Sequence, residues 1–286
     1  MRMDQPRRLG QVFRDAFAIT GRRFGVLITL SSLLILMRSV FALYACDLTE
    51  VAWNVVIYGE DFSDYAADPA FWIGVAEWVS LIFVVPLVAA YHGHVVFMDL
   101  CKERPTATEC LGRAAKNYPR MLASLLCLGL FLLADKGLAL LGGLLQYRGH
   151  DGWLLMGGGA LVDLVRGGVF FLFLHCIYAV PQTIYPGYCG FGALKRGFGL
   201  FTRNGYGRNL GHTLLALGAI MLGSEMLSSL ALAGGWQGGA LSQLYHVIGV
   251  LVKNAVLVAG MLFAGTANLL NCQNAWLRSE ERFNRK

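Results

Sequence analysis

Residues 71–98 read FWIGVAEWVSLIFVVPLVAAYHGHVVFM, an apolar run with a single charged residue, Glu77. A helix needs about 20 mostly apolar residues to cross the hydrocarbon core of a bilayer. Five other stretches are similar, and the six predicted spans are 24–46, 71–98, 121–145, 154–180, 211–233 and 241–270. These runs are too long for the strands of a membrane barrel, which need about 9–11 residues. The sequence therefore predicts an all-α polytopic membrane protein.

The composition of the 286 residues agrees with a membrane environment. Hydrophobic types make up 56% of the chain and charged types 15%, whereas a soluble domain carries about 25% charged residues. The 35 glycines are typical of helices that pack closely inside a bilayer. This composition excludes a disordered chain, a disulfide-stapled secreted module and an ordinary cytosolic enzyme. Because no segment has the composition of a soluble domain, we predict one transmembrane domain over residues 1–286.

The distribution of basic residues predicts the orientation of the chain. If the six spans cross the membrane in turn, nineteen of the 24 Lys and Arg residues fall in segments on the same side of the membrane as the N-terminus. The segments on the opposite side contain Arg148 and seven acidic residues. Basic loops stay on the cytoplasmic side of a membrane, so both termini are predicted to be cytoplasmic. The net charge of +6 then reflects this orientation and contact with anionic lipid. Membrane lipids are the predicted partners, other membrane proteins are a further class of partner, and nucleic acid is not expected.

Short amphipathic segments precede three of the spans. In the first segment, the predicted apolar face consists of Leu9, Val12, Phe13, Ala16 and Phe17. The second segment covers residues 107–118, and the third covers residues 191–203. Apolar residues at this spacing opposite basic residues are typical of helices at the headgroup level of a membrane. We therefore predict two or three interfacial helices, with lipid-surface contacts from Arg14, Arg113, Lys195 and Arg196. An amphipathic segment, an outward span, an outer loop and a returning span follow one another three times along the chain. This order predicts a three-unit repeat.

One stretch carries a family resemblance. Residues 175–217 read HCIYAVPQTIYPGYCGFGALKRGFGLFTRNGYGRNLGHTLLAL, with Ala-Leu-Lys-Arg at 193–196 and a Leu-x-x-x-Asn-Gly element at 200–205. This order resembles the six-span bacterial proteins grouped with YciC and the membrane domain attached to some glycerophosphodiester phosphodiesterases. Gly197 stands where a serine is common in that pattern. The resemblance implies a protein of the bacterial cytoplasmic (inner) membrane with no catalytic residues of its own, since phosphodiesterase activity belongs to a separate soluble domain.

Eight ionisable residues lie within the predicted spans, four of each sign: Arg38, Glu77, Asp135, Lys136, Asp163, Arg166, Glu225 and Lys253. A charge at the bilayer centre costs about 2.5–3.5 kcal/mol, so such residues normally face the bundle interior and pair. Two interpretations stay open for this set. The residues form either a polar cavity in the outer half of the bundle that binds a zwitterionic or anionic headgroup, or structural ion pairs that fix helix register.

These patterns favour a non-enzymatic protein of envelope homeostasis that handles lipids or small solutes or acts as a scaffold. A membrane transporter is one alternative, supported by a charge in every span and by Pro86 within the second. An intramembrane lipid-modifying enzyme is another, and it would use Glu77, Asp163 or Glu225 as acid–base groups. His92 and His94 are two residues apart and point to different helix faces, so no metal site is predicted. No cofactor is predicted either.

Overall fold

The computed structural model describes residues 8–148, 153–184, 188–203, 205–218 and 240–284, and within these residues it contains helices and no strand. The predicted all-α class is confirmed. In chain order the helices are α1 (Leu9–Arg22), α2 (Phe24–Tyr44), α3 (Leu48–Trp53), α4 (Phe62–Ala67), α5 (Pro69–Leu100), α6 (Ala107–Arg148), α7 (Trp153–Cys176), α8 (Ala179–Ile184), α9 (Gly190–Arg203), α10 (206–218) and α11 (Ala240–Asn284).

Five helical segments among the described residues are long and apolar enough to cross a membrane: Phe24–Tyr44, Pro69–Leu100, Ala107–Tyr147, Gly157–Ile184 and His246–Arg278. They coincide with five of the predicted spans. The remaining predicted span, 211–233, begins in α10 and from residue 219 onward lies outside the described residues. The total of six spans, the location of the termini and the three-unit repeat stay predictions.

Three of these helices exceed the thickness of a membrane. The 42 residues of α6 extend about 63 Å at 1.5 Å per residue, roughly twice the 30 Å of a hydrocarbon core. The second amphipathic segment is therefore the first part of α6 and not a separate interfacial helix. The reason is that Cys110, Ala114 and Met121 continue one buried face against α5, past Pro119 inside the helix. We use the name basic end for one end of the bundle, at which α2 and α6 begin and at which α5 and α11 terminate.

The basic end holds much of the buried core. α1 packs on α5 and α11 through an apolar face whose buried residues are Val12, Ala16 and Ile19. Phe17, predicted on this face, is instead 74% exposed, because Ile19 occupies the buried position. α9 packs on α6, α7, α8 and α11, and its buried residues are Ala193, Leu194, Gly197, Leu200 and Phe201.

The opposite, acidic end carries short helices with aspartate caps. The side chains of Asp47, Asp61 and Asp68 accept hydrogen bonds from the backbone N–H groups of Thr49, Ser63 and Ala70 at 2.8, 2.9 and 2.8 Å. Such bonds satisfy N–H groups that have no partner inside the helix. The bond from the Ser63 N–H lowers the pKa of Asp61. Three of the seven acidic residues assigned to this side therefore start α3, α4 and α5.

Candidate functional site

The ionisable residues of the spans form ion pairs between helices. Nε of Arg166 on α7 lies 3.2 Å from Oδ1 of Asp135 on α6. Nη1 of Arg166 lies 3.2 Å from Oδ1 of Asp163, which is on α7 as well. Nη2 of Arg38 on α2 lies 3.9 Å from Oε1 of Glu77 on α5. These contacts tie α6 to α7 and α2 to α5.

The other three ionisable residues of the predicted spans, Lys136, Lys253 and Glu225, are not among these ion pairs. Lys136 is exposed and Lys253 is half-buried, and within the described part of the chain no carboxylate lies within 4.0 Å of either. Glu225 lies outside the described residues. The hypothesis of an outer-half headgroup cavity therefore stays a prediction.

A buried carboxylate at the basic end holds two arginines. Asp99 near the end of α5 lies 2.7 Å from Nη2 of Arg22 and 2.6 Å from Nε of Arg23, and its side chain is 3% exposed. Charge-assisted bonds of this length are the strong class of hydrogen bond. This contact fixes the α1–α2 junction to the end of α5. Sequence reasoning assigned these residues only to a basic side, although an acidic residue at the end of an apolar run was the available signal.

Helices α7 and α8 are separated by a break at Ile177 and Tyr178. Nδ2 of Asn268 on α11 donates to the Ile177 carbonyl at 3.3 Å, and Nδ2 of Asn117 on α6 donates to the Thr183 carbonyl at 2.9 Å. Backbone groups released from a helix need such partners in an apolar environment. Neighbouring helices therefore hold α8 in place by side-chain hydrogen bonds as well as by packing.

A short polar chain links three helices near α8. Nε2 of His92 on α5 lies 2.9 Å from Oγ1 of Thr266 on α11, and Oγ1 of Thr20 on α1 donates to the same hydroxyl at 3.3 Å. His92 thus takes part in a hydrogen bond between helices. No group of three or more His, Cys, Asp or Glu residues with metal-binding geometry occurs in the described ranges.

A groove opens at the basic end between α5, α8, α9 and α11. Its volume is about 260 Å³, and its lining residues are Phe97, Leu100, Cys101, Gln182, Tyr188, Arg196, Cys272, Gln273 and Trp276. Nε2 of Gln182 lies 3.0 Å from Sγ of Cys272. The guanidinium carbon of Arg196 lies 4.5 Å above the centre of the Tyr188 ring, a cation–π arrangement.

A second cavity, of about 180 Å³, lies on another face of α8. Val180, Pro181 and Ile184 of α8 line it, together with residues of α2, α5 and α11 that include Leu34, His92 and Leu262. Gln182 lines the groove at the basic end instead. Helix α8 therefore contributes opposite sides to the two cavities, and neither is lined by the ionisable residues predicted within the spans.

The exposed faces of α1 and α9 mix basic and aromatic residues. Arg14 and Phe17 are exposed on α1, and Phe191, Lys195 and Phe198 are exposed on α9. Arg14 lies 3.8 Å from Asp15, with a side chain that remains 76% exposed. Of the four predicted lipid-surface residues, Arg14 and Lys195 lie on these faces. Arg196 is also exposed, but it lines the groove and lies over the Tyr188 ring.

Arg113, the fourth of these residues, is engaged within the protein. Its Nη2 lies 2.8 Å from a carboxylate oxygen of Glu109 and 3.7 Å from one of Glu103. Two acidic neighbours offset its charge, so Arg113 offers less attraction to an anion than Lys195 does.

Comparisons of the chain with protein-family models, curated proteins and solved structures find no match. The functional assignment therefore rests on the geometry of the chain itself.

Proposed function

We propose that the chain is a non-enzymatic protein of the bacterial cytoplasmic (inner) membrane that contacts and handles membrane lipids in envelope homeostasis. In this proposal six spans cross the membrane, residues 211–233 form the fifth of them, and both termini are cytoplasmic. Five long apolar helices and the concentration of basic residues in one set of segments support it. So does the resemblance carried by residues 175–217.

The exposed faces of α1 and α9 are the observation that carries this proposal. Phe17 is 74% exposed and Phe191 71% exposed, beside the exposed basic residues Arg14 and Lys195. Aromatic residues that insert at the headgroup level, combined with basic residues that attract anionic lipid, are the features of a helix at a membrane interface. Both helices pack on the bundle through their opposite faces, so the aromatic and basic residues stay available to lipid.

The pairing of the span carboxylates supports a non-enzymatic role. Glu77 lies within 4 Å of Arg38, and Asp163 lies 3.2 Å from Arg166. An acid–base catalyst must place its carboxylate within hydrogen-bond reach of the reacting group, whereas these two carboxylates contact arginines of the protein itself. This arrangement favours lipid contact over the enzymatic alternative.

The test is the retention of anionic lipid by the purified protein. We expect the wild-type protein, extracted from vesicles of equal phosphatidylglycerol and phosphatidylcholine content, to retain phosphatidylglycerol preferentially when measured by native mass spectrometry. The R14Q/K195Q variant should lose about thirtyfold in this preference, because each of the two basic residues contributes about 1 kcal/mol near an anionic surface and about 1.4 kcal/mol corresponds to a factor of ten.

The matched control is K102Q/R104Q, which removes the same charge from the loop between α5 and α6. The loop, residues 101–106, contains no aromatic residue, so it lacks the apolar side chains that insert at the headgroup level beside basic residues. The control variant should keep most of the preference. An unchanged preference in R14Q/K195Q, or an equal loss in both variants, would contradict the proposed lipid contact.

A further inference from the structure

Arg196 differs from three other arginines at the basic end. Arg22 and Arg23 both bind the buried Asp99, and Arg113 binds Glu109. For Arg196, no carboxylate lies within 4.0 Å among the residues that the structure describes, and its guanidinium rests on the Tyr188 ring. The groove therefore contains a cation whose charge no acidic side chain of its lining offsets.

The walls of the groove are mostly apolar. Phe97 and Leu100 of α5 line one side, and Trp276 of α11, which is 42% exposed, lines another. The polar groups present beside Arg196 are the neutral amides of Gln182 and Gln273. An unpaired cation beside apolar walls is complementary to a ligand with an anionic head and a hydrocarbon tail, since the tail gains from leaving water.

The size of the groove limits the ligand that fits it. A volume of about 260 Å³ is below the roughly 300–1,000 Å³ of pockets that enclose a drug-sized molecule. The space suits a headgroup and the first carbons of one chain, and a two-chain lipid would not fit inside. Helix α8 forms part of the wall, with Gln182 facing the groove and bonded to Cys272, so the rest of the chain must leave along the open side.

We propose that this groove binds the anionic headgroup of a single-chain amphiphile, a phosphate or carboxylate, through Arg196. The first carbons of the chain contact Phe97, Leu100 and Trp276. The role rests on the proposed function, in which the protein handles membrane lipids, but it concerns a site separate from the exposed faces of α1 and α9. Arg196 is the residue that determines the sign of the ligand charge.

Cys101 provides a native reporter of occupancy, because it lines the groove and is exposed. Cys189 is exposed but does not line the groove, and Cys46 lies at the acidic end. Partial desolvation by its neighbours raises the pKa of the Cys101 thiol, so alkylation is measured at alkaline pH, where its reactive thiolate is more abundant. The rate of alkylation by N-ethylmaleimide is followed at each cysteine by peptide mass spectrometry, with the full chain in dodecyl maltoside.

We expect dodecyl phosphate to slow alkylation of Cys101 at least threefold and to leave Cys46 and Cys189 unchanged. Inorganic phosphate, which lacks the chain, and dodecyltrimethylammonium, which carries the opposite charge, should give no protection. R196Q should lose the protection and R196K should keep most of it. K116Q, which removes an equal charge from an exposed position of α6 outside the groove, should behave as the wild type does.

Three results would overturn the proposed site: no protection of the wild-type protein, equal protection by the cationic detergent or by inorganic phosphate, or protection that persists in R196Q. If R196Q does not fold, the comparison of anionic and cationic amphiphiles on the wild-type protein decides the question alone. Failure of this site leaves the lipid preference of α1 and α9 intact, whereas failure of that lipid preference leaves Cys101 protection in place. The two proposals are therefore tested separately.

Discussion

At the scale of single residues, the buried polar contacts of the described chain join separate helices. Asp99 binds Arg22 and Arg23, and the His92 ring bonds the Thr266 hydroxyl. The sequence indicated which ionisable residues lie in the spans. Asp163 and Arg166 are three residues apart and in contact, as side chains at this spacing on a helix are. The sequence did not indicate the partners of Asp99, because contacts between residues about 77 positions apart depend on how the helices pack.

Asp99→Asn should destabilise the folded protein. The substitution removes the charge that two arginines face, and breaking a buried ion pair costs about 3–5 kcal/mol. Because the Arg22 and Arg23 side chains are 55% and 24% exposed, water offsets part of this cost, and we expect a loss of about 2–3 kcal/mol. Thermal unfolding in detergent measures it, with the exposed Asp64→Asn as the charge-matched control. Equal stability of the two variants would contradict a structural role for Asp99.

At the scale of elements, amphipathic spacing predicted α1 and α9 as helices and underestimated their packing. Ile19, and not Phe17, completes the buried face of α1. Both residues are apolar, so the spacing of apolar residues in the sequence does not show which of the two faces the bundle. The break between α7 and α8 was also missed. Ile177 and Tyr178 continue the apolar run, and the side chains of Asn117 and Asn268 that stabilise the break come from distant helices.

Gly197→Ala should destabilise the packing of α9 on α8. A Cβ atom at this position would lie 2.6 Å from the Ala179 nitrogen and 2.8 Å from the Tyr178 carbonyl carbon, and these backbone atoms cannot move unless α8 shifts. This close approach is the physical reason why position 197 accommodates glycine. Overpacking costs about 1–3 kcal/mol and alanine regains about 1 kcal/mol of helix propensity, so we expect a net loss of about 1 kcal/mol.

Gly199→Ala is the matched control on the same helix, because a Cβ atom there meets nothing within 4 Å. Alanine is favoured over glycine in a helix by about 1 kcal/mol, so this variant should be neutral or more stable. Chemical or thermal unfolding of both variants gives the comparison. Changes of the same sign and size would show that α9 does not approach α8 as closely as described.

At the scale of the whole molecule, composition and charge predicted the class of fold because they depend on no particular contact. Five apolar helices occur where five spans were predicted. The continuity of α6 from Ala107 and of α11 to Asn284 was not predicted. Residues 107–118 were assigned to a separate amphipathic helix, and the last predicted span ended at residue 270. The extension of these helices creates the basic end, where α1, α8 and α9 pack and where the groove with Arg196 forms.

The sidedness of the two ends is the central claim, and cysteine labelling in spheroplasts tests it most directly. Ala67 at the acidic end and Thr108 at the basic end are both exposed, so each is replaced by cysteine in a chain whose seven native cysteines are substituted. We expect a membrane-impermeant maleimide to label Ala67→Cys in spheroplasts and to label Thr108→Cys only after the membrane is permeabilised. Labelling of Thr108→Cys alone before permeabilisation would place the basic end outside the cell and contradict the proposed orientation.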